Sequence, residues 1–416
     1  MPADIAIQFF LQLTVILAAC RLAGIVAGRV GQPPVVGEMI AGVVLGPSLL
    51  GRIAPDLQAG LFPSGTSNIV LYTTAQVGLV LYMFVIGMNF DVDHVRQRAG
   101  TAAAVSATGT FAPLIIGALA AIPLLGGGEF FGEGVNLGMA MMFLGASIAI
   151  TAFPMLARII FEKGLTGTSL GTLALACGAT SDAISWCILA VVLAVYKNSP
   201  MLAVLAIGGG VLYTVVVLTI GKRALAPMGA KAEQQQAISG SMLSTVLILL
   251  MACAWFTDTI GIYAIFGAFI LGIAMPSGYF AGQLTDKIEP LTTKLLLPLF
   301  FVYSGLNTQI GLVNTPRLWA ITAGLLIVAI VGKGVACAVA ARISRVPTRE
   351  SVALGALMNA RGLIELILLN IGLQAGIITP TLFTILVIVA VVTTLMTSPI
   401  FELVYGRRRQ PAEISQ

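Results

Sequence analysis

The chain has 416 residues, of which 58% are hydrophobic and only 9% are charged. Because soluble domains carry about 25% charged residues, the composition excludes an ordinary soluble protein and indicates one that lies mostly in a lipid bilayer. The formal net charge of +5 is therefore no sign of nucleic-acid binding, and we expect the basic residues to mark one side of a membrane.

Apolar segments recur along the whole chain. About 20 apolar residues are enough for a helix to cross the hydrocarbon core of a bilayer, which is about 30 Å thick. We therefore predict an all-α membrane protein with about 13 transmembrane helices. In chain order, the predicted spans lie near residues 5–28, 34–50, 67–88, 98–122, 134–161, 168–196, 200–222, 236–256, 258–276, 288–309, 316–341, 349–372 and 377–404.

The lysine and arginine residues test this count, because cytoplasmic loops of membrane proteins are enriched in them. When alternate loops are assigned to one side, 16 of the 22 basic residues fall there, 3 lie within the spans, and the other side has Arg52, Lys197 and Arg317. The N-terminus is then outside and the C-terminus is cytoplasmic. We expect a transmembrane domain at 1–405, a cytoplasmic tail at 406–416, and the inner (plasma) membrane of a bacterium as the location.

Two pairs of short segments indicate an internal repeat. GEMIAGVVLGP (37–47) is similar to GAFILGIAMP (267–276), and LYMFVIGMN (81–89) is similar to LFFVYSGLN (299–307). The members of each pair lie seven predicted helices apart, and an odd offset means that the two copies cross the membrane in opposite directions. We therefore predict an inverted repeat of helices 1–6 and helices 8–13, which is an architecture of secondary transporters.

Nucleotide-binding motifs are missing from the sequence. It contains no P-loop, and no GxGxxG follows a predicted strand. We therefore expect no bound nucleotide and no other cofactor, and an ion gradient would have to drive any transport.

The fifth predicted span, 134–161, is expected to be a broken helix. Pro154 removes a backbone hydrogen-bond donor and clashes with the preceding turn. The carbonyl groups that this frees, beside Ser147 and Thr151, would coordinate a cation in a cavity. A simple proline kink without a binding role is the alternative.

The twelfth predicted span, 349–372, is the counterpart of the fifth and is also expected to be broken. Asn359, Arg361 and Gly362 interrupt its apolar run. Arg361 and Glu365 are four residues apart, so they share one helix face. We interpret them as an ion pair that stabilises the broken helix, and a role in transport is the alternative.

Few ionisable residues lie deep within the predicted spans. An aspartate at the bilayer centre costs roughly 2.5–3.5 kcal/mol on insertion scales, so Asp182, in the middle of the span 168–196, is the main candidate for a functional residue. Pairing for helix packing alone is the alternative. Lys333 is a second candidate, because a desolvated lysine can release its proton and an arginine cannot. Glu38 is interpreted as a hydrogen-bonded contact between helices.

Motifs in several parts of the chain resemble those of one family, in the same order. They are the run ITAFPMLARIIFEKG…LGTLALACGATSDAISWCILA, the segment QPPVVGEMIAGVVLGPSLLG (32–51), the GK pair at 332–333, and NARGLIELILLNIG (359–372). They resemble the monovalent cation:proton antiporters, in the branch of plant cation/proton exchangers, bacterial potassium-efflux and Na⁺/H⁺ antiporters. The resemblance covers nearly the whole chain. It implies a thirteen-helix homodimer with a moving core domain and a dimerisation domain.

The resemblance also implies roles for individual residues. Asp182 corresponds to the ion-binding carboxylate of the family and Lys333 to its membrane lysine. Electrogenic members carry two adjacent aspartates and electroneutral members often carry Asn-Asp, whereas this chain has Ser181 before Asp182. A hydroxyl can coordinate a cation but cannot hold a second negative charge, so we expect electroneutral exchange. The retained Lys333 argues the other way, because the membrane lysine is more often found in electrogenic members.

The expected mechanism needs only one carboxylate. Partial desolvation favours the protonated form of Asp182, and a dehydrated Na⁺ or K⁺ displaces that proton. Exposure of this site to each side of the membrane in turn then exchanges cations for protons without covalent chemistry, so we do not expect an enzyme. The expected cation- and proton-binding residues are Asp182, Ser181, Thr151 and Ser147, and the expected supporting residues are Lys333, Arg361, Glu365, Asn359 and Glu38.

Three other functions are alternatives to exchange. A sodium-coupled organic-solute symporter of related fold is the main alternative, and proton-independent uptake of a solute would favour it. A cation channel needs a selectivity filter, and no filter-like sequence is visible. An intramembrane aspartyl protease needs two catalytic aspartates and a GxGD motif, whereas Asp182 is the only aspartate deep in a predicted span.

Overall fold

The computed structural model describes residues 2–32, 34–63, 65–90, 99–126, 128–165, 168–196, 199–306 and 310–406. In chain order, the α-helices of these ranges are α1 (Pro2–Arg29), α2 (Pro34–Leu45), α3 (Leu50–Ile53), α4 (Pro55–Leu61), α5 (Thr66–Met88), α6 (Ala99–Ala121), α7 (Leu137–Ala149), α8 (Phe153–Glu162), α9 (Ser169–Tyr196), α10 (Pro200–Val216), α11 (Lys222–Gln235), α12 (Gly240–Thr259), α13 (Ala264–Ala274), α14 (Tyr279–Leu291), α15 (Leu297–Leu306), α16 (Pro316–Ala329), α17 (Ala336–Ile343), α18 (Thr348–Met358), α19 (Leu363–Gln374) and α20 (Pro380–Tyr405). Short 3₁₀ helices lie at Ile122–Leu124 and Ile310–Leu312, and π-helical segments lie at Val217–Gly221, Thr292–Leu296 and Ile330–Val335.

The prediction of an all-α membrane protein is confirmed for the described residues, where the only strand-like feature is an isolated bridge between Phe131 and Ile378. In the part of the chain that the structure describes, helices occupy all the predicted spans, and eight helical stretches are by themselves long and apolar enough to cross a membrane. Two predicted spans are each divided into two short helices, α7 with α8 and α18 with α19. The count of thirteen spans stays a prediction. Of the predicted tail, residues 407–416 lie outside the described residues.

The chain folds as two compact units, each assembled from separate stretches of sequence. The first unit comprises Met1–Arg21, Ala41–Asp91 and Leu193–Leu306. The second unit comprises Leu22–Ile40, Val92–Val192 and Asn307–Gln416. Every residue that the sequence analysis assigned to the cation site falls in the second unit.

Glycines let two pairs of helices in the first unit pack backbone against backbone. A Cβ on Gly42 of α2 would lie 2.5 Å from the carbonyl oxygen of Phe301 on α15, and Gly305 of α15 faces Gly42 itself. A Cβ on Gly272 of α13 would lie 2.9 Å from the Cα of Gly87 on α5. These separations leave no room for any side chain, so glycine is required at both crossings.

Contacts and chain order in the second unit indicate the directions of its helices. Helices α6 and α7 form an antiparallel pair, in which a Cβ on Gly145 would lie 2.5 Å from the carbonyl oxygen of Leu114. Helix α9 folds back along α8 after a connection of six residues, and Gly178 of α9 packs against the side chain of Leu156. With α7 and α8 as the two halves of one predicted span, we expect α6 and α9 to run in the same direction.

Candidate cation site

The break between α7 and α8 lies slightly before the predicted position. Helix α7 ends at Ala149, Ile150 has extended dihedrals (φ −61°, ψ 135°), and α8 begins at Phe153. Pro154 is therefore the second residue of α8 and does not disrupt a continuous helix. At this position a proline removes no intrahelical hydrogen bond, because the first amide groups of a helix have no intrahelical acceptor. Pro154 thus favours a helix start after the break, and the predicted clash within a continuous helix was wrong.

A second break separates α18 from α19, and the two breaks touch. Residues 359–362 lie between these helices, and the amide of Ala152 donates to the carbonyl oxygen of Ala360 at 3.4 Å. A Cβ on Gly362 would lie 3.3 Å from the Cβ of Ala152. The structure therefore brings two non-helical segments together within the second unit, more than 200 residues apart in sequence.

Two buried cations satisfy the carbonyl groups at the end of α7. Arg361 donates from Nη1 to Ser147 O at 3.0 Å and from Nη2 to Ile148 O at 2.7 Å. Lys333 Nζ donates to Ala149 O. The last carbonyls of a helix lack intrahelical donors and form the negative end of its dipole. Arg361 and Lys333, both fully buried, thus neutralise the C-terminus of a helix that ends inside the second unit.

Arg361 also forms the ion pair that its spacing from Glu365 indicated. Its Nη1 lies 2.9 Å from Glu365 Oε1, and both side chains are fully buried. The hydroxyl of Thr394 on α20 accepts from the Arg361 amide at 3.0 Å and donates to the Arg361 carbonyl at 2.9 Å. The backbone at this break is therefore held by a side chain from another helix.

Lys333 lies in the π-helical segment Ile330–Val335. Such segments are rare and frequently occur at functional sites. On either side of the lysine, a Cβ on Gly332 would lie 3.1 Å from the Cα of Pro113 on α6, and a Cβ on Gly334 would lie 3.8 Å from the side chain of Asn359. The two glycines thus allow the lysine-bearing segment to lie between α6 and the second break.

Asp182 and Ser181 are buried on α9. One helical turn earlier, a Cβ on Gly178 would lie 3.0 Å from the ring of Phe153, the first residue after the break in the fifth span. Lys333 interacts electrostatically with Asp182. The predicted ion-binding carboxylate therefore lies one turn beyond the residue of α9 that packs against the end of the first break, and it interacts with the charge of Lys333.

Several buried oxygens in this region have no hydrogen-bond partner among the described residues. They are Thr151 Oγ1, Ser181 Oγ, Asn359 Oδ1 and Glu365 Oε2. Oxygen ligands of this kind suit hard cations. The Ser147 hydroxyl differs, because it donates to Phe143 O at 2.8 Å within its own helix. Glu38 is also buried, but it lies on α2, which carries none of the other candidate site residues.

The part of the chain that matches a known family contains all the residues of the candidate site. The family model described as "Sodium/hydrogen exchanger, transmembrane" matches residues 14–403. The chain belongs to the sodium/hydrogen exchanger family. This confirms the resemblance to monovalent cation:proton antiporters, which are transporters and not enzymes, and identifies the exchanger as an integral multi-pass membrane protein.

Relatives of the exchanger include proteins named for sodium and for potassium. It is 38% identical to the Na(+)/H(+) antiporter NhaS4 of Synechocystis over 407 residues, which are 97% of this chain and 99% of the relative. It is 28% identical to the Na(+)/H(+)-K(+) antiporter GerN of Bacillus cereus over 98% of this chain and 99% of the relative. It is 32% identical to the K(+)/H(+) antiporter 1 of Saccharomyces cerevisiae over 95% of this chain but 46% of that relative. The chain thus spans about half the length of the yeast protein.

Among solved structures, the sodium proton antiporter MjNhaP1 of Methanocaldococcus jannaschii at pH 8 shares the exchanger's fold. The TM-score is 0.63 over 97% of this chain and 98% of the other, with 15% sequence identity. At this identity the likeness concerns the fold alone.

Some residues of the site carry no recognisable signal in the sequence. Thr394 holds the backbone of the second break, yet it is one of many threonines in apolar segments. The π-helical turn at Lys333 is likewise invisible in residue periodicity. The glycines beside Lys333 were the one available sign that this segment is closely packed.

Proposed function

We propose that the exchanger moves Na⁺ or K⁺ in one direction and H⁺ in the other by alternating access, with Asp182 binding the cation and the proton in competition. The observation that carries this proposal is a buried carboxylate beside two crossed helix breaks, in a chain of the sodium/hydrogen exchanger family. The relatives named for Na⁺ and for K⁺ support either ion as substrate.

Competition follows from the burial of Asp182. A carboxylate removed from water is more stable when protonated, and a dehydrated monovalent cation stabilises the charged form instead. Lys333 and Arg361 supply two fixed positive charges near the crossing, one of them held by Glu365. We take Asp182 as the carboxylate that responds to the cation because it follows Ser181 on α9 and interacts with the charge of Lys333.

The proposed cation ligands are oxygens next to Asp182 and at the break. Thr151 Oγ1 and Ser181 Oγ are buried and have no hydrogen-bond partner among the described residues. Ser147 contributes less, because its hydroxyl and its carbonyl oxygen are both engaged by protein groups. Asn359 and Glu38 remain supporting residues in this proposal.

With one titrating carboxylate, each cycle exchanges one cation for one proton and moves no net charge. Ser181 stands where a second aspartate would add a second negative charge, and Glu365 is committed to Arg361. We therefore propose electroneutral exchange.

We further propose that helices 1–6 and 8–13 form an inverted repeat. In the aligned segments Gly42 corresponds to Gly272, and Gly87 corresponds to Gly305. The contact of Gly42 with Gly305 and the contact of Gly272 with Gly87 are therefore equivalent under the proposed repeat. Such paired crossings support it.

The second unit carries all the proposed site residues, so we propose that it is the moving core and that the first unit forms the homodimer contact. The orientation with the N-terminus outside, in the inner membrane of a bacterium, follows the placement of basic residues.

A transport assay in proteoliposomes tests the proposed function. Cation-induced dequenching of a pH-sensitive dye is measured with Li⁺, Na⁺, K⁺ and Rb⁺, with and without a valinomycin clamp. We expect Na⁺ or K⁺ to dissipate the imposed proton gradient. Because protons and cations compete for one site, the apparent KM for the cation should rise on acidification while the maximal rate stays constant. Solute uptake without proton movement would favour the symporter instead.

A further inference from the structure

Thr110 lies on α6, a helix that carries none of the proposed cation ligands. Its side chain is fully buried, and its Oγ1 has no hydrogen-bond partner among the described residues. Serine and threonine inside helices commonly donate to the carbonyl four residues earlier, as Ser185 and Thr322 do here at 2.8 Å. The Thr110 hydroxyl makes no such bond, so it is available to a ligand.

A hydrogen bond between α6 and α9 indicates the level at which Thr110 lies. The Ser106 hydroxyl donates to the carbonyl oxygen of Cys177 at 2.9 Å, and the order of the predicted spans has the two helices running in the same direction. Counting four residues, about one turn, further along each helix brings Thr110 level with Ser181. Both hydroxyl oxygens are buried and neither bonds the other, and Asp182 is the next residue of α9.

Contacts between α6 and α7 lead independently to the same level. Leu114 meets Gly145 where these antiparallel helices touch. One turn earlier on α6 and one turn later on α7, Thr110 is level with Ala149, the last residue of α7. The Ala149 carbonyl is the one that receives Lys333. Two separate helix registers therefore converge on the break that Lys333 caps.

We propose that Thr110 is a further ligand of the transported monovalent cation, with its Oγ1 binding beside Ser181 on the side of the site formed by α6. This rests on the proposed function. A hydroxyl adds an oxygen ligand but holds no charge and carries no proton of the exchange. Its loss therefore weakens cation affinity without changing how many protons move per cation.

The test compares Thr110→Val with wild type in the proteoliposome assay. Valine has nearly the shape of threonine and lacks only the hydroxyl, so we expect the apparent KM for the better-transported cation to rise about tenfold, the lower end of what loss of one supporting group costs in metal sites. The maximal rate should stay within about twofold, and Thr110→Ser should restore a near-normal KM. The matched control is Thr322→Val, a buried threonine whose hydroxyl is engaged by Leu318 O, and its KM should not change.

A binding measurement that needs no transport complements the assay. Cation-induced stabilisation of the purified protein in detergent should require a higher cation concentration in Thr110→Val than in wild type or Thr322→Val. Should the valine variant fail to fold, Thr110→Ala gives the same comparison. An unchanged KM together with unchanged cation-induced stabilisation overturns the proposal for Thr110. If Asp182→Asn is inactive in that case, the proposed function stands, whereas exchange by Asp182→Asn at the wild-type rate rejects both.

Discussion

The guanidinium of Arg361 has three acceptors, and replacing it removes the donor from all of them at once. They are Glu365 Oε1 at 2.9 Å, Ser147 O at 3.0 Å and Ile148 O at 2.7 Å. Removing one partner of a buried ion pair costs about 3–5 kcal/mol, and hydrogen bonds from charged donors contribute about 1.5–3 kcal/mol each. Since these terms overlap, we expect Arg361→Leu to lower the free energy of unfolding by on the order of 5 kcal/mol.

Two companion variants separate the ion pair from the helix cap. Glu365→Leu also leaves a buried charge, but Arg361 keeps its two carbonyl acceptors, so its cost should lie at the lower end of the ion-pair range, about 3 kcal/mol. The double variant leaves no uncompensated charge and should be more stable than Arg361→Leu alone. Chemical unfolding in detergent, followed by tryptophan fluorescence, measures all three. Equal costs for the two single variants, or a double variant less stable than Arg361→Leu, would refute this reasoning.

Three further predictions concern the ligands, the charge balance and the packing. Thr151→Val should raise the apparent KM for cation more than Ser147→Ala. Of these two hydroxyl groups, that of Thr151 has no partner among the described residues, whereas that of Ser147 donates within its own helix. Equal KM values in the dequenching assay would remove Thr151 from the site. Wild-type protein on a solid-supported membrane should give no cation-evoked current, and Ser181→Asp should give some if it stays active; a wild-type current that reverses with the cation gradient would contradict electroneutrality. Gly42→Ala should destabilise the protein by about 1–3 kcal/mol through overpacking. The control Gly208→Ala, with no atom within 4 Å of the new Cβ, should not destabilise it. Similar melting temperatures for the two variants would argue against the close helix crossing.

The sequence allowed the two broken helices to be located because their interruptions are chemically conspicuous. The Asn-Ala-Arg-Gly segment places a charged residue in an apolar run, which is rare in membrane helices. Pro154 is a weaker sign, because Pro113 and Pro399 lie inside continuous helices of this structure. The position of the first break was less predictable. Pro154 is compatible with a helix interior at a kink and with a helix start, and only the extended dihedrals of Ile150 decide between the two.

The partners of the buried charges were beyond prediction because they depend on distant parts of the chain. Lys333 caps a carbonyl 184 residues away, and Arg361 caps two carbonyls more than 210 residues away. The sequence indicates which buried charges need partners, and it predicts the pair of Arg361 with Glu365 because these residues are only four positions apart. It could not supply backbone acceptors, because every residue carries a carbonyl group and only the fold exposes a few of them.

The role of Asp182 is the central claim, and one substitution tests it most directly. Asp182→Asn keeps the shape of the side chain but can neither release a proton nor neutralise a cation. In proteoliposomes, we expect this variant to give no cation-induced dequenching with any alkali ion, while size-exclusion chromatography shows the same folded protein as wild type. Cation-dependent exchange by Asp182→Asn at the wild-type rate would contradict the proposed mechanism.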